Sequence, residues 1–297
     1  MKIFYGLVNK SIDVTQICVE RLKNSNIITI PAGDGNRSRF FTDPLLGIHK
    51  YIIIENNNTI TVYDEYRKII INTLTNNVTT ISNDDINDKI NNLHSKLNIK
   101  YGSLNDELPE QKMAVQYLTG NEKVLEIGGN IGRNSLIIAS ILGNNNNFVT
   151  LECDKNIANQ LRENRDLNKF TFYIESSGLS NRKLIQKGWE TIPSDTLLPG
   201  YQWVNTITLD NLKNKYNIVF DTLVLDCEGA FYYILMDMPE ILDNINLIIM
   251  ENDYWDISKK NYIDEILKQN NFYTDHSEAG GWGPCFSNFF EVWKKSA

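Results

Sequence analysis

The chain has little cysteine, and the cysteines that it has do not cluster. Four occur among its 297 residues, and they lie far apart without a C-x-x-C pair: Cys18, Cys153, Cys227 and Cys285. A zinc site and the disulfide framework of a small secreted domain are therefore both unsupported. Isolated thiols are typical of a reducing compartment, and no signal peptide opens the sequence. We therefore expect a cytoplasmic protein.

Long apolar runs and an excess of positive charge are also missing. No apolar run approaches the ~18 residues that a membrane-spanning helix needs. The formal net charge of −8 disfavours a general nucleic-acid binder and a protein of anionic membrane surfaces. What the chain does contain, 42% hydrophobic and 22% charged residues, is enough to build the core of one large or two ordinary domains.

The most informative stretch is a glycine-rich turn between two apolar segments. Residues 124–127 are predicted to form a buried strand, and residues 135–142 a buried helix. Between them, Gly128 and Gly132 let the backbone turn sharply and approach a ligand closely. The first N–H groups of the following helix have no partner within the helix. The stretch therefore predicts a cradle for a small molecule.

One acidic residue distinguishes two classes of cofactor for this cradle. The dinucleotide fingerprint is G-x-G-x-x-G, with the pyrophosphate at the helix N-terminus. Here the pattern is Glu126-x-Gly128-x-Asn130-x-Gly132. A carboxylate at its first position would repel a pyrophosphate, but it can pair with an amino-acid ammonium. S-adenosyl-L-methionine (SAM) carries an ammonium and a sulfonium and no phosphate, so the turn predicts SAM rather than NAD.

A second acid follows the next predicted strand, residues 148–151. Glu152 comes about 20 residues after the glycines, where a carboxylate can accept hydrogen bonds from both ribose hydroxyls. The alternative is that Glu152 caps the helix that starts at Lys155, but Asp154 suits that position better. We therefore assign Glu152 to the ribose of the cofactor.

The order of predicted elements divides the chain into three parts. Residues 1–80 contain several short strands, a hairpin turn at 56–58 and one helix, and they predict a small β-rich N-terminal module. Its Arg37-Ser38-Arg39 segment is expected on a solvated loop, with ligand contact as the alternative. Residues 81–104 form a connector that contains a polar helix, and residues 105–297 alternate strands and helices. Such alternation is typical of a mostly parallel sheet with helices on both faces.

The last predicted strands indicate which α/β layout this is. Only a short glycine-rich loop separates 272–274 from 289–293, so these two strands should pair antiparallel. About seven strands with an antiparallel last hairpin is the layout of the Rossmann-like class I methyltransferase fold, which is an analogy at the level of the fold. The other strands are predicted at 124–127, 148–151, 171–174, 220–225 and 247–250.

Acidic residues end three of these strands, at the edge of the sheet where open α/β folds bind ligands. Asp226 and Glu251 should lie on neighbouring strands and face the methyl end of the cofactor. Carboxylates there can hold an acceptor hydroxyl, take its proton or bind a divalent cation. The alternative is that they cap helices or are solvated. We predict Asp226, Glu228 and Glu251 as the catalytic residues.

Methyl transfer from SAM requires few protein groups beyond these acids. Because the methyl group of a sulfonium is already activated, in-line positioning, removal of one proton and exclusion of water suffice. A divalent metal on Asp226, Glu251 and Asn252 is compatible with the sequence but not favoured, since no histidine or third carboxylate is placed beside them. Residues 179–204, with Trp189 among their aromatics, are expected either to close over the site or to pack in the core.

Four ordered motifs resemble the FkbM family of SAM-dependent methyltransferases. They are V-L-E-I-G-G-N-I-G-R-N-S at 124–135, G-L-S at 178–180, T-I-T-L-D at 206–210 and L-D-C-E-G-A at 225–230. Glu110-Gln111 also looks like the family, and the resemblance covers roughly residues 105–295. It implies O-methylation, commonly of sugars in glycans, glycolipids or polyketide-type products. The chain departs from the family pattern at Phe231, where a second Glu is common, and at Gly178, where Ala is usual.

By motif position the resemblance places part of the chain against the cofactor, with Ser177 and Gly178 near the adenine. Together with the turn itself, the predicted cofactor-binding residues are Glu126, Gly128, Gly129, Asn130, Gly132, Asn134, Ser135, Glu152, Ser177, Gly178 and Asp226.

The sequence thus predicts a SAM-dependent O-methyltransferase that acts on a sugar hydroxyl, in a nucleotide sugar or a glycan. Methylation of an RNA cap or another nucleic acid is the alternative of the same chemistry, and the acidic balance disfavours it. A dehydrogenase conflicts with Glu126 and Asn130, and a non-catalytic cofactor-binding scaffold conflicts with the intact acids Glu126, Glu152 and Asp226. The N-terminal module is expected to recruit the acceptor or to form a homodimer through its sheet edges.

Overall fold

The computed structural model describes residues 1–57 and 59–296, leaving the side chain of Asn83 aside. Two compact units make up the chain, Met1–Asp88 and Lys89–Lys295. The boundary between them falls inside helix α3 (Asn83–His94), whose predicted end was Leu97. The predicted division into a module, a connector and a domain from residue 105 stays a prediction.

The first unit contains two four-stranded antiparallel sheets. Their strand orders are β2-β1-β5-β6 and β3-β4-β7-β8. The elements are β1 (Lys2–Leu7), β2 (Lys10–Asp13), α1 (Thr15–Arg21), β3 (Lys23–Asn24), β4 (Ile27–Ile30), α2 (Asp34–Phe41), β5 (Tyr51–Asn56), β6 (Thr59–Tyr63), β7 (Arg67–Asn72) and β8 (Asn77–Ser82).

Alternating isoleucines build the core of this unit. Ile28 and Ile30 on β4 and Ile69 and Ile71 on β7 are all buried, in the period of two that one covered face of a strand requires. The predicted hairpin between β5 and β6 is present, with Asn56 paired to Thr59; Asn58 of that turn lies outside the described residues.

The prediction of a single helix before residue 80 is wrong, because the structure forms α2 where a loop was expected. Arg37 is not on a solvated surface but fully buried. It donates from Nε to Pro31 O and from Nη2 to Arg67 O, at 3.0 and 2.7 Å. The buried residues of α2 are Arg37 and Phe41, so the short helix lacks the aliphatic stripe by which a sequence reveals an amphipathic helix. The short strands β2, β3 and β8 were also missed.

The second unit is built on a seven-stranded sheet. Its large strands are β9 (Val124–Ile127), β10 (Phe148–Leu151), β11 (Tyr173–Glu175), β17 (Thr222–Leu225), β18 (Leu247–Glu251), β19 (Phe272–Glu278) and β20 (Phe290–Lys295). Between β11 and β17 come β12 (Gly178–Leu179), β13 (Leu184–Lys187), β14 (Glu190–Pro193), β15 (Gln202–Val204) and β16 (Thr206–Ile207). The helices are α4 (Leu108–Tyr117), α5 (Arg133–Ile141), α6 (Lys155–Leu167), α7 (Leu209–Tyr216), α8 (Phe231–Asp237) and α9 (Ile257–Gln269).

The order of the sheet is β11-β10-β9-β17-β18-β20-β19. All neighbours up to β18 pair in parallel, and β20 pairs antiparallel with both β18 and β19. This is the Rossmann-like class I methyltransferase layout, so the predicted fold is confirmed. The strands β9, β10 and β17 are buried at every position, as parallel strands covered on both faces are. The order reverses at β9, where a ligand crevice is expected.

The structure bears on the expected membrane segments and cysteine pairs. Within the described residues, no helix is long and apolar enough to cross a membrane. Cys18, Cys153, Cys227 and Cys285 are all free thiols.

Candidate cofactor and active site

A cavity of about 500 Å³ opens at the carboxyl ends of the central strands of the second unit. Its wall comes from the ends of β9, β10, β17 and β18, from α4 and from the segment around β12 to β14. The predicted site residues that line it are Gly128, Asn130, Glu152, Ser177, Gly178, Asp226, Glu228 and Glu251. Five others do not line it: Glu126, Gly129, Gly132, Asn134 and Ser135.

The glycine turn is pressed against the ends of two strands. The N–H groups of Gly128 and Gly129 both donate to Leu151 O, at 3.0 and 2.9 Å. Gly128 has a φ of +94°, and a Cβ there would lie 1.6 Å from Asp226 O. A Cβ on Gly129 would lie 2.1 Å from Thr150 Oγ1. Only glycine allows this close backbone approach, which leaves room for a ligand on the cavity side.

Glu126 lies behind the turn instead of facing the cavity. Its side chain is buried, with 2% of its surface exposed, and its Oε2 accepts a hydrogen bond from Ser135 Oγ. Burial raises the pKa of Glu126 to about 7. The acid therefore ties β9 to the first turn of α5, and the structure does not bring it to the cavity as a direct partner for an ammonium.

Glu152 is fixed in the cavity wall by two backbone donors. Its Oε2 accepts from Asn130 N at 2.9 Å and its Oε1 accepts from Asp154 N at 2.8 Å. Burial raises the pKa of its carboxyl. The helix α6 is capped by Asp154, which accepts from the N–H groups of Asn156 and Ile157. The alternative in which Glu152 caps α6 is therefore excluded, and each Glu152 oxygen keeps a further lone pair for a ligand.

Carboxylates crowd the opposite half of the cavity. Burial, followed by the negative charges of Glu107 and Glu110, raises the pKa of Asp226 well above its usual range. Burial and contact with the Glu110 carboxyl raise the pKa of Glu251 to about 10. Partial burial and contact with Asp253 raise the pKa of Glu228 to about 8. Such crowding makes these groups hold protons that ordinary carboxyls release, which is typical of functional sites.

No lysine, arginine or histidine lines the cavity in the part of the chain that the structure describes. Arg133 pairs with one of the lining acids, Glu107, and also with Asp106. The cavity thus has a surplus of acidic groups over basic ones.

Backbone strain concentrates at two of these acids. Glu107 and Glu228 have φ values of 59° and 50°, in the left-handed region where a residue without a short polar side chain is unfavourable. Both line the cavity. Strain of this kind persists where the surrounding structure enforces it, and functional sites are where it collects.

Several lining residues could not be predicted from the motifs. Glu107 and Glu110 come from α4 and its N-terminus, and only the Glu110-Gln111 pair drew notice, as a resemblance. Gln186 lies on β13, in the small sheet β14-β13-β15, and its buried Oε1 has no hydrogen-bond partner among the described residues. Trp189 lines the cavity while 64% exposed. In the sequence, only the aromatic residues of the segment 179–204 indicated that this segment could reach the site.

The oxygen ligands considered for a metal are not brought together. Asn252 does not line the cavity; its Nδ2 donates to Asn288 O and to Glu291 Oε2. No group of three His, Cys, Asp or Glu side chains that could hold a metal ion occurs in residues 1–57 and 59–296.

Comparison with known proteins finds similarity among solved structures alone. No protein-family model and no curated protein matches the chain. The ribosomal protein L11 methylase of Lactobacillus delbrueckii subsp. bulgaricus is 10% identical with a TM-score of 0.41, over 67% of this chain and 82% of that one. An O-methyltransferase of Bacillus cereus in complex with SAH is 16% identical with a TM-score of 0.40, over 72% and 93%. The O-methyltransferase TomG of Streptomyces achromogenes is 12% identical with a TM-score of 0.40, over 73% and 92%.

Proposed function

We propose that the second unit binds SAM and methylates a hydroxyl group of its acceptor, with a sugar as the expected acceptor. The observation that carries this proposal is the placement of Glu152, which the N–H groups of Asn130 and Asp154 hold in the cavity wall. A carboxylate fixed there, beside a turn that excludes any Cβ at Gly128, suits a nucleoside ribose. The resemblance of residues 105–295 to the FkbM family supports the same activity.

The charges of the cavity favour SAM over a dinucleotide. Six carboxyl groups line the wall, those of Glu107, Glu110, Glu152, Asp226, Glu228 and Glu251. A pyrophosphate would meet these carboxyl groups without a lysine or arginine to compensate its charge, whereas an ammonium and a sulfonium can pair with those carboxyl groups that ionise. When bound, SAM would supply an activated methyl group.

The protein's own residues would orient the two reactants and handle one proton. Glu152 and the Gly128 turn hold the nucleoside end, and Trp189 lies on another side of the site. Glu251 and Asp226 lie at the ends of neighbouring parallel strands, where a hydroxyl can donate to them. A carboxyl with a raised pKa is the stronger base once ionised, so this pair is suited to remove the hydroxyl proton.

Calorimetry and a transfer assay test the proposal in sequence. We expect SAM and SAH to bind, and NAD to give no heat of binding. Methyl label from SAM should then appear in members of a panel of glycans, nucleotide sugars and capped RNA, and a sugar should be the labelled class. Tight NAD binding without SAM binding would contradict the cofactor assignment. SAM binding with no transfer to any hydroxyl would instead favour the scaffold alternative.

For the first unit we propose acceptor recruitment or self-association. Every residue that lines the cavity comes from Glu107 onward, so the first unit supplies none of the groups assigned to methyl transfer. Two four-stranded sheets expose four edge strands, β2, β6, β3 and β8, and such edges can pair with another chain.

A further inference from the structure

One oxygen of a buried acid in the cavity has no hydrogen-bond donor among the described residues. Glu110, on α4, is 7% exposed, and its Oε2 is buried without a hydrogen-bond partner in the described residues. Glu110 itself is one of the residues that line the cavity. Burying a charged oxygen is costly unless a donor or a cation meets it.

The neighbours of Glu110 in the cavity are also acidic. Its carboxyl contacts that of Glu251 and lies in the field of Asp226. Arg133, which contacts the lining acid Glu107, is already paired with Glu107 and Asp106. No lysine, arginine or histidine of the described residues lines the cavity beside these three acids, and a positive charge from a ligand would relieve their mutual repulsion.

The cofactor is placed at the other half of the cavity. Glu152 follows β10, the glycine turn follows β9, Asp226 follows β17 and Glu251 ends β18, which are successive neighbours in the sheet. Three strand spacings, about 14 Å, separate the ends of β10 and β18. A nucleoside held at Glu152 leaves the contact between Glu110 and Glu251 on the acceptor side of the methyl group.

We propose that the acceptor is a hydroxyl compound that also carries a protonated amine, of the amino-sugar class, and that its ammonium group binds between Glu110 and Glu251. This inference rests on the proposed methyltransferase function and specifies its substrate. An ammonium brings three donors and one positive charge, which satisfies the free oxygen of Glu110 and pairs both acids at once. A phosphate-bearing acceptor would be repelled. Nucleotide sugars, which carry phosphate groups, are therefore not expected as acceptors.

Matched acceptor pairs test the inference on the full-length protein. The methyl glycosides of glucosamine, galactosamine and mannosamine differ from their N-acetyl forms in the charge of one nitrogen. Labelled SAM is supplied at about pH 6.5, below the ordinary range of amines. We expect kcat/KM for at least one amine form to exceed that of its N-acetyl partner by about 10- to 100-fold, the effect of one charge-assisted hydrogen-bonding contact. The sugar 6-phosphates should not be labelled.

One variant locates the effect. Glu110→Gln should reduce the ratio between amine and N-acetyl forms about tenfold while SAM still binds in calorimetry. The matched control is Glu240→Gln, an exposed carboxylate outside the cavity, which should change neither quantity. Equal or better use of the N-acetyl forms, labelling of none of the amine forms, or an unchanged ratio in Glu110→Gln would overturn the inference. A wild-type protein that does not bind SAM would instead refute the proposed function on which the inference depends.

Discussion

At the scale of single residues, Glu152 is the side chain on which cofactor binding should depend most. Both of its oxygens accept backbone N–H groups, from Asn130 and Asp154. Glu152→Gln places an amide NH2 against one of these donors and removes the charge that a ribose hydroxyl would meet. We expect SAM affinity to fall by about 1.5–3 kcal/mol, the range for hydrogen bonds to charged groups, as measured by calorimetry.

The exposed Glu240→Gln exchange is the control for this measurement, because it makes the same chemical change away from the cavity. The variant must also unfold at a temperature near that of the wild type if the loss is to be assigned to the ribose contact. Unchanged SAM affinity in folded Glu152→Gln would remove Glu152 from the site.

Glu126 should govern how stability depends on pH. Its pKa is about 7 in the folded protein against 4.5 for an ordinary Glu, so the folded state keeps a proton that the unfolded chain releases. The protonated Glu126 side chain therefore makes its full contribution to stability at pH values below 4.5, and that contribution is lost as pH rises through about 7. At one pKa unit per 1.36 kcal/mol, ionisation costs about 3 kcal/mol.

Glu126→Gln cannot ionise and should abolish this loss. Urea unfolding at about pH 5 and pH 8 should show the wild type losing about 3 kcal/mol more than the variant between the two. The other raised carboxyls titrate in both proteins and cancel in the comparison. Parallel stability curves for the two proteins would show that Glu126 is ionised in the fold.

The residue scale also shows where sequence reasoning reached its limit. The spacing of Glu126 from Gly128 indicated an acid at the turn, but it could not show that the side chain contacts Ser135 on α5 and not the ligand. That direction depends on how β9 packs against the helix. Glu107 and Glu110 reach the cavity through the docking of α4, which no local pattern reports.

At the scale of elements, the turn between β9 and α5 should tolerate no side chain at its first glycine. In Gly128→Ala the new Cβ would lie 1.6 Å from Asp226 O, and the φ of +94° is unfavourable for alanine. Backbone cannot yield as a flexible side chain can, so we expect the turn and the end of β17 to separate. Cofactor binding should be lost, and thermal stability should fall.

Gly143→Ala is the matched control for this substitution. Its Cβ would meet Gly120 O at 3.5 Å, an ordinary contact, and its φ is not in the left-handed region. Thermal unfolding and SAM titration of the two variants should therefore differ sharply. A Gly128→Ala protein that binds SAM like the wild type would show that the close approach to Asp226 is not needed.

Elements differ in how far the sequence predicted them. The runs at β9 and β10 were predicted to the residue, because each is a short, wholly buried strand between turn signals. The small sheet β14-β13-β15 was not predicted, since its strands are three or four residues long and lack a consistent alternation of buried and exposed positions. Gln186 and Trp189 enter the site through that sheet.

At the scale of the whole molecule, the alternation of strands and helices was enough to predict the parallel sheet and its antiparallel end. Connection rules leave few ways to arrange such a chain, and β19 and β20 lack the length between them for a crossover. The first unit was harder, because paired antiparallel sheets are set by contacts distant in sequence. Its missed helix α2 has a buried arginine where an aliphatic residue was expected.

The second unit should bind SAM without the first unit. A chain that begins at Ser82 keeps the cap of α3, in which Asp85 accepts from Ser82 N and Oγ and Ser82 Oγ accepts from Asp85 N. It also keeps every residue of the cavity wall. We expect this shortened protein to bind SAM with the affinity of the full chain, as calorimetry would show, and to lose self-association or acceptor turnover.

A substitution in the edge strand β6 distinguishes loss of self-association from loss of acceptor turnover. Its residues Ile60 and Val62 are 63% and 43% exposed, and β6 is an edge strand of its sheet, the kind of strand that can pair with another chain. If β6 mediates a homodimer, Val62→Lys in the full chain should give monomers in sedimentation experiments while SAM affinity is unchanged. Thr61→Lys places the same charge at the adjacent position of the strand as a comparison. A shortened protein that is folded yet cannot bind SAM would show that cofactor binding requires residues 1–81, because its cavity wall is complete while only those residues are missing.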